Sequence, residues 1–220
     1  MILSVSGLEK AFGKRRVLAG VDLAVETGEC VALVGGNGCG KTTTLRAIAG
    51  LSRPDAGKIE IAGVDALREG ARARRHLSYL PQRPAFPGTL TVRETLSLVA
   101  RLREIAESRV DEEISRCELD GLASENVAHL SGGERQRLAL ACALLPEAEL
   151  AIFDEPSSNL DARATAIFLS RARQITAAGR SLLFTTHIPA DLENLAGRIV
   201  TLSEGRAGES RLRVLAGGQA

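Results

Sequence analysis

Residues 35–42 read Gly-Gly-Asn-Gly-Cys-Gly-Lys-Thr, which fits the pattern of a glycine, four residues and Gly-Lys-Thr. Glycines let the backbone turn so that several N–H groups point inward, and a helix that starts there adds its positive end. In such a loop Lys41 can reach the β- and γ-phosphates, and the Thr42 hydroxyl can ligate Mg²⁺. An ordinary glycine turn is the weaker alternative, because an apolar stretch precedes the loop and a helical pattern follows it. The loop therefore predicts a bound nucleoside triphosphate.

Two acids follow the apolar stretch over residues 150–153. An acid at the carboxyl end of a strand lies where α/β sheets bind their ligands. Asp154 can hold Mg²⁺ there, directly or through a water, and Glu155 can face the other way and orient or deprotonate a water that attacks the γ-phosphate. A helix-capping acid pair before Pro156 is the alternative, and the phosphate loop makes it the weaker one.

Gln82 and His187 also stand at the ends of short apolar stretches, over residues 77–81 and 181–186. Either could be a plain loop residue or be bonded to the backbone. Both are expected at the same edge of the predicted sheet, where a polar side chain can contact the γ-phosphate or the attacking water. The predicted catalytic residues are Lys41, Gln82, Glu155 and His187.

A second glycine segment, Leu-Ser-Gly-Gly-Glu over residues 130–134, precedes a helical pattern over 135–145. Ser131 and Glu134 have the spacing of a capping box, which is the structural interpretation. That interpretation leaves the two glycines unexplained, whereas a second anion site uses them for the close approach of a phosphate. Both interpretations remain open at this point.

The elements that must position these residues alternate along the chain. Apolar stretches over 29–34, 150–154 and 181–186 predict buried strands, and helical patterns over 41–49 and 162–178 follow the first two. The first 30 residues, with 58–61, indicate a small antiparallel sheet, and 91–123 is helical. The predicted fold is a single α/β domain over 1–220. It has a P-loop NTPase core with a mostly parallel sheet, an N-terminal antiparallel β subdomain, an inserted helical subdomain over about 83–145, and a disordered tail over about 216–220.

The composition narrows the class of protein. Of 220 residues, 45% are hydrophobic and 25% charged, as in soluble globular proteins, and a net charge of +1 with 3% aromatics disfavours nucleic-acid binding. The longest apolar run, over 138–145, is shorter than the roughly 20 residues that cross a bilayer. No export signal begins the chain, and its four cysteines lack metal-site spacing, so we expect reduced thiols in the cytosol. Any membrane role is therefore expected to be peripheral or through another chain.

In the order and spacing of these motifs, nearly the whole chain resembles the ATP-binding subunits of ABC transporters. The Leu-Ser-Gly-Gly-Glu segment is the most specific element, because other P-loop ATPases lack it. The resemblance implies ATP and Mg²⁺ as cofactors. The residues predicted to bind ATP are Phe12, Gly35, Gly36, Asn37, Gly38, Cys39, Gly40, Lys41, Thr42, Thr43, Ser131, Gly132, Gly133 and Asp161. Those predicted to hold Mg²⁺ are Thr42, Gln82 and Asp154.

The resemblance also implies individual roles. Phe12 stacks on adenine, Glu155 is the catalytic base, and His187 is the switch histidine. Gln82 senses Mg²⁺ and water while it touches the membrane partner, and residues 158–161 form the D-loop. The chain departs from the family pattern at Phe12, Gly36, Cys39 and Asn159, where Tyr, Pro, Ala or Ser, and Ala are usual. None of these changes removes a catalytic group, so the resemblance implies an active ATPase.

The family's architecture implies partners. Each ATP lies between the phosphate loop of one domain and residues 131–133 of a second copy or a homologous subunit. Separate transmembrane permease subunits would hold the pair at the cytoplasmic face of the inner (cell) membrane, and no nucleic acid is expected. Residues 90–96 and the compact length resemble exporters, which is a weak indication of export. The alternatives are a soluble ABC ATPase of the iron–sulfur cluster assembly type and a regulatory module with little turnover, the latter disfavoured by Glu155 and His187.

Overall fold

The computed structural model describes the backbone of residues 1–158 and 160–212, and the side chains of 1–158 and 160–208. Asn159 and the tail over 216–220 therefore lie outside the described residues. In the part of the chain that is described, the strands form two sheets, with helices on both sides of the larger one.

The smaller sheet is antiparallel. Its strands, numbered in chain order, are β1 (Leu3–Phe12), β2 (Arg15–Val25), β4 (Ala56–Ile61) and β5 (Val64–Asp65). They are arranged as β2–β1–β4–β5. The loop between β1 and β2 has two residues, of which Gly13 has a φ of 59°, as a tight hairpin turn requires. This hairpin places Phe12 directly opposite Arg15, and the sheet confirms the antiparallel subdomain expected from the sequence.

The larger sheet is mostly parallel. Its strands are β3 (Cys30–Val34), β6 (Leu77–Leu80), β7 (Leu150–Asp154), β8 (Ser181–Thr185), β9 (Arg198–Ser203) and β10 (Arg206–Leu212). Their order is β10–β9–β3–β8–β7–β6, with only β10 antiparallel to its neighbour. The carboxyl ends of β3, β6, β7 and β8 therefore lie at one edge, where the loops that carry the predicted catalytic residues begin.

Both faces of the central strands of the larger sheet are buried. Side chains along a strand alternate between faces, so in β7 Ile152 packs towards the antiparallel sheet while Phe153 packs against helices on the other side. In β8 Leu183 and Phe184 divide in the same way. Two apolar layers thus hold the sheet and its loop-bearing edge in place, and this explains the unbroken apolar runs in the sequence.

The helices cover both faces of the sheet and build the inserted segment. They are α1 (Lys41–Ile48), α2 (Gly70–Ala73), α3 (Val92–Leu102), α4 (Ser108–Arg116), α5 (Gly132–Leu144), α6 (Ala162–Ala177) and α7 (Pro189–Leu195). The inserted helices α3, α4 and α5 share an apolar cluster of their own, to which Leu96, Ile114 and Leu138 belong. Helix α5 also packs against the larger sheet through Leu140 and Leu144, so it joins the inserted helices to that sheet.

Several boundaries differ from the sequence-based expectation, and three of these differences have a cause in the contacts or the backbone. The helix expected from residue 135 begins at Gly132, because Ser131 and Glu134 form a capping box that draws both glycines into the first turn. The helical stretch expected over 91–123 is broken after Leu102, where Glu104 takes a φ of 57°. Strand β8 ends at Thr185, one residue early, and the Thr186 hydroxyl bonds to Asp191 instead. No helix among the described residues has the length and apolar character needed to cross a membrane.

Candidate functional site

The phosphate loop runs from the end of β3 to the start of α1, as predicted. Gly35 has a φ of 155°, and a Cβ there would lie 2.3 Å from the Leu202 carbonyl oxygen. Gly40, with a φ of 111°, would bring a Cβ within 2.7 Å of the Leu18 side chain. Both positions therefore exclude alanine. No side chain caps α1, so its first N–H groups are available to an anion.

Lys41 is held inside the loop. The side chain is buried, and its Nζ donates to the carbonyl oxygens of Gly35 at 2.8 Å and Gly36 at 3.3 Å. Burying an ammonium group is costly unless it is paired. These carbonyl contacts keep the positive charge at the centre of the loop, where a phosphate can become its partner.

Asp154 lies behind the loop at the end of β7. Its Oδ1 accepts hydrogen bonds from the hydroxyls of Thr185 at 2.9 Å and Thr42 at 3.2 Å, and the Tyr79 hydroxyl lies 3.5 Å from Oδ2. Burial raises the pKa of Asp154, the hydrogen bonds lower it, and the charge of Glu155 raises it further, for a net increase. A carboxylate beside a hydroxyl suits Mg²⁺, which prefers oxygen ligands and keeps several waters.

Glu155 has a left-handed backbone, with a φ of 47°, and its N–H donates to Thr185 Oγ1 at 2.9 Å. This turn aims its carboxylate away from the Asp154 contacts. Glu155 Oε2 accepts from Gln82 Nε2 at 2.7 Å and Ser158 Oγ at 3.1 Å, and lies 3.6 Å from His187 Nδ1. The structure therefore brings Gln82, Glu155 and His187 together, although they are far apart in the chain.

These groups line an open cleft of about 720 Å³. It is bounded by residues from the β1–β2 hairpin, the phosphate loop and the three loops just described. The lining residues are Phe12, Arg15, Val17, Asn37, Gly38, Gly40, Lys41, Thr42, Thr43, Gln82, Glu155 and His187. Phe12 is 56% exposed, so its ring is available for stacking.

The second glycine segment lies outside this cleft. Ser131 and Gly132 are exposed, and neither they nor Gly133 belongs to the cleft lining. Ser131 accepts from the Glu134 N–H at 3.3 Å, and the Ser131 N–H donates to the Glu134 carboxylate at 2.8 Å, so the capping-box interpretation is correct. Asp161 caps α6, and its Oδ2 lies 3.3 Å from where a Cβ on Gly133 would sit. Both segments thus share an exposed surface away from their own chain's cleft.

Known proteins with similar sequences support this description. A daunorubicin resistance ATP-binding protein, DrrA3, of Streptomyces coeruleorubidus is 37% identical over 208 residues, which cover 93% of this chain and 66% of the relative. A Nod factor export ATP-binding protein I of Burkholderia lata is 36% identical over 203 residues, covering 90% of this chain and 67% of the relative. The profile of the ABC transporter family matches residues 18–158, more than half of the chain. The chain belongs to the ABC transporter family.

A solved structure of the ATP-binding subunit of an ABC transporter confirms the fold. The TM-score is 0.90 and the sequence identity is 33%. The match covers 96% of the chain described here and 90% of the chain in the solved structure. The family, the α/β fold class and the assignment as an ATPase made from the sequence are thereby confirmed. The ABC chain spans about two thirds of the length of the two curated relatives. Phe12, Asp161 and His187 lie outside the profile match, and their roles stay predictions.

Sequence reasoning missed several residues of the ABC chain's site. Arg15 and Val17 line the cleft, although residues 14–16 resemble an ordinary polar turn. The two-residue hairpin loop was the available signal, because it sets Arg15 opposite Phe12. Thr185, which bonds to both acids, gave no signal, since its contacts depend on how β7 and β8 pair. Ser158 was expected only as part of the D-loop, and its bond to Glu155 was not.

Within the phosphate loop, Cys39 is a predicted nucleotide-binding residue whose side chain lies outside the cleft. It does not line the cleft, and it packs against the apolar core. Its Sγ lies 2.7 Å from where a Cβ on Gly35 would sit. The Cys39 side chain can therefore alter the cleft only through the shape of the loop.

The four cysteines of the ABC chain are free thiols, and we expect iodoacetamide at pH 8 to modify Cys39 first. Burial raises the pKa of Cys30 and of Cys142 to about 12 and also raises that of Cys117. At a pKa of about 12, only about 10⁻⁴ of a thiol is the reactive thiolate at pH 8. Cys39 and Cys142 are both partly exposed, but the raised pKa of Cys142 keeps it in the unreactive thiol form. A group added to Cys39 must displace the loop, so ATP binding should be lost in parallel.

Peptide mass spectrometry against time, with calorimetric ATP titration, measures both effects. The unfolded chain is the control and should label at all four positions. Faster labelling of Cys30, Cys117 or Cys142, or full labelling of Cys39 with ATP binding intact, would contradict the expectation.

Proposed function

We propose that the chain binds MgATP in the cleft and hydrolyses it as the motor subunit of an ABC transporter. Binding would draw two such domains together and hydrolysis would release them, and this cycle would drive separate transmembrane subunits. The observation that carries the proposal is the Glu155 carboxylate, held by Gln82 at 2.7 Å and Ser158 at 3.1 Å at the mouth of the phosphate-loop cleft. A carboxylate held there is in position to act on a group bound in the cleft.

The nucleotide would lie along the length of the cleft. Phe12 would stack on the base, since its ring is exposed at the rim, and Arg15 beside it would meet the sugar or the first phosphates. Lys41 would hold the β- and γ-phosphates. The remaining phosphate contacts would come from the loop and the first turn of α1, namely Gly35, Gly36, Asn37, Gly38, Cys39, Gly40, Thr42 and Thr43.

The donor set fits Mg²⁺ when the phosphate oxygens of the nucleotide complete it. Thr42 Oγ1 and Asp154 Oδ1 already lie 3.2 Å apart, and Gln82 projects into the cleft beside them. No group of three His, Cys, Asp or Glu side chains in the described part of the chain could hold a metal by itself. When bound, Mg²⁺ supplies positive charge that offsets the negative charge on the transferred phosphoryl group.

Glu155 would be the general base. Its carboxylate can accept the proton of the attacking water, while the Gln82 amide and the Ser158 hydroxyl fix which lone pairs face the cleft. His187, 3.6 Å away, would contact the γ-phosphate and keep the water in line. Glu155 would therefore accept the proton and His187 would position the reacting groups, both at the same edge of the cleft.

A second copy, or a homologous subunit, would complete the site. Ser131, Gly132, Gly133 and Asp161 lie outside the cleft of their own chain, and the start of α5 offers N–H groups to an anion. Two chains facing each other would place this surface over the γ-phosphate in the partner's cleft. ATP would then act as the bridge between the two protomers.

The surface beside the Gln82 loop supports a membrane partner. Leu98 and Leu102 of α3 are 43% and 75% exposed, and a groove of about 270 Å³ runs past Phe86, Val99 and Arg103. A cytoplasmic segment of a permease would fit there and would hold the chain peripherally at the cytoplasmic face of the inner membrane. Relatives named for drug resistance and Nod factor export support the export direction. No nucleic acid is proposed as a partner.

Co-purification from detergent-solubilised membranes of the native host tests the transport role. A tagged chain is expected to bring down a polytopic membrane protein, and ATP hydrolysis by the complex should depend on Mg²⁺. Leu98→Glu combined with Leu102→Glu should release that partner while MgATP binding by the isolated chain stays unchanged. Recovery of only non-membrane partners would contradict the proposal.

Arg15→Ala is expected to raise the dissociation constant for ATP about 10- to 100-fold, the value of one hydrogen bond to a charged group. Arg15 lines the cleft, and its Nη2 lies 3.3 Å from where a Cβ on Gly38 would sit. Arg16→Ala is the matched control, because Arg16 is paired with Glu9 on the exposed strand. Calorimetry with ATP measures both variants. Equal losses in the two variants, or none in either, would show that Arg15 makes no contact with the nucleotide.

A further inference from the structure

A buried carboxylate lies behind the cleft, on a helix that contributes nothing to the cleft lining. Asp191 is in the first turn of α7, and only 1% of it is exposed. Its Oδ2 accepts a hydrogen bond from the Thr186 hydroxyl at 2.7 Å and a second from the Ser157 hydroxyl. Both hydroxyl-bearing residues are themselves buried.

The two partners of Asp191 belong to different catalytic segments. Ser157 follows Glu155 by two residues, and Thr186 immediately precedes His187. The Thr186 Oγ1 also accepts from the Ile188 N–H at 3.0 Å, which fixes the backbone on the far side of the histidine. One carboxylate oxygen therefore ties the loop after β7 to the loop after β8.

Helix capping does not account for this carboxylate. The N-cap of α7 is Ile188, and no side chain caps that helix. A buried carboxylate without adequate partners is costly, and apolar packing would stabilise the helix as well. The carboxylate fixes the distance between the Ser157 and Thr186 hydroxyls, which an apolar side chain cannot do.

We propose that Asp191 is a positioning residue that sets His187 relative to Glu155. The inference rests on the proposed roles of those two residues. The His187 side chain is 64% exposed and lies 3.6 Å from Glu155 Oε2, so the backbone that Asp191 holds largely determines where the imidazole is. Loss of that restraint should misplace the histidine without altering the phosphate loop.

Asp191→Ala is expected to lower kcat for ATP hydrolysis about 100-fold, the cost of misplacing a reacting group by about 1 Å. KM and the dissociation constant of a non-hydrolysable ATP analogue should stay within about two-fold, because Asp191 does not line the cleft. Asp191→Asn keeps one acceptor oxygen and should recover most of kcat. In a His187→Ala background, Asp191→Ala should cost less than about two-fold, since nothing remains to be positioned.

A purely structural role predicts different readouts. It would lower the melting temperature and the number of analogue sites per chain, and kcat per site would stay at the wild-type value. Glu193→Ala, at an exposed position of the same helix, is the control and should leave kcat unchanged. Ser157→Ala and Thr186→Val each remove one hydroxyl, and each should lower kcat per site about 3- to 10-fold even if Asp191→Ala does not fold.

Failure of this inference is distinguishable from failure of the proposed function. Glu155→Gln is assayed in the same series. If it is inactive while Asp191→Ala, Ser157→Ala and Thr186→Val all keep wild-type kcat per site, the positioning role is wrong and the base assignment survives. Normal turnover by Glu155→Gln would overturn both.

Discussion

Glu155→Gln is expected to lower kcat for ATP hydrolysis about 10²- to 10⁴-fold, the usual contribution of a general base. An amide has nearly the shape of a carboxylate, and its oxygen can still accept the hydrogen bond that Gln82 Nε2 donates at 2.7 Å. It cannot take a proton from water. ATP binding should therefore survive while hydrolysis stops, and paired chains with ATP held between them should accumulate.

Phosphate release and size-exclusion chromatography with MgATP measure the two effects. The wild type should pass through the paired state, whereas Glu155→Gln should remain in it. Glu193→Gln removes an exposed acid from α7 and should behave as wild type in both assays. Sustained hydrolysis by Glu155→Gln would falsify the base assignment, and a strictly monomeric ATP-bound form would contradict the two-chain site.

Glu113→Gln is expected to lower the free energy of unfolding by about 3–5 kcal/mol, because it leaves the buried Arg171 guanidinium without a carboxylate partner. Glu113 of α4 is 1% exposed and accepts from Arg171 Nη2 of α6 at 2.6 and 2.8 Å. The pair joins the inserted helices to a helix that covers the main sheet. Urea denaturation of the purified chain measures the loss, when one m-value (the slope of the unfolding free energy against urea concentration) is fitted for all variants.

Two controls test whether the loss of stability comes from breaking the buried charge pair. Glu60→Gln breaks the exposed Lys58–Glu60 pair and should cost less than about 1 kcal/mol. The double variant Glu113→Leu with Arg171→Met removes both charges, and it should regain most of the stability because apolar packing replaces the pair. If the double variant were less stable than Glu113→Gln, loss of the charge pair would not be the cause.

The sequence predicted the strand–loop–helix of the phosphate site almost to the residue. Its glycines, Lys41 and Thr42 are contiguous, so local spacing fixes their chemistry. Asp154 and Glu155 were predictable for a related reason, since a buried apolar run that ends in acids has few alternatives in a parallel sheet. The helix limits near Gly132 and Leu102 were not, because capping contacts and a single left-handed residue set them.

The sequence by itself determined which groups this protein has for phosphate chemistry, because the glycine loop, the lysine and the acids are encoded as contiguous runs. Only the tertiary structure decided which distant side chains hold those groups. Arg15 reaches the cleft because a hairpin turns, and Gln82 and His187 meet at Glu155 because β6, β7 and β8 lie side by side. Asp191 joins the two catalytic loops for the same reason. The order of the strands in the sheet brings such residues together although they are far apart in the chain. The spacing of residues along one sequence does not reveal that order, so it does not reveal the distances between these side chains.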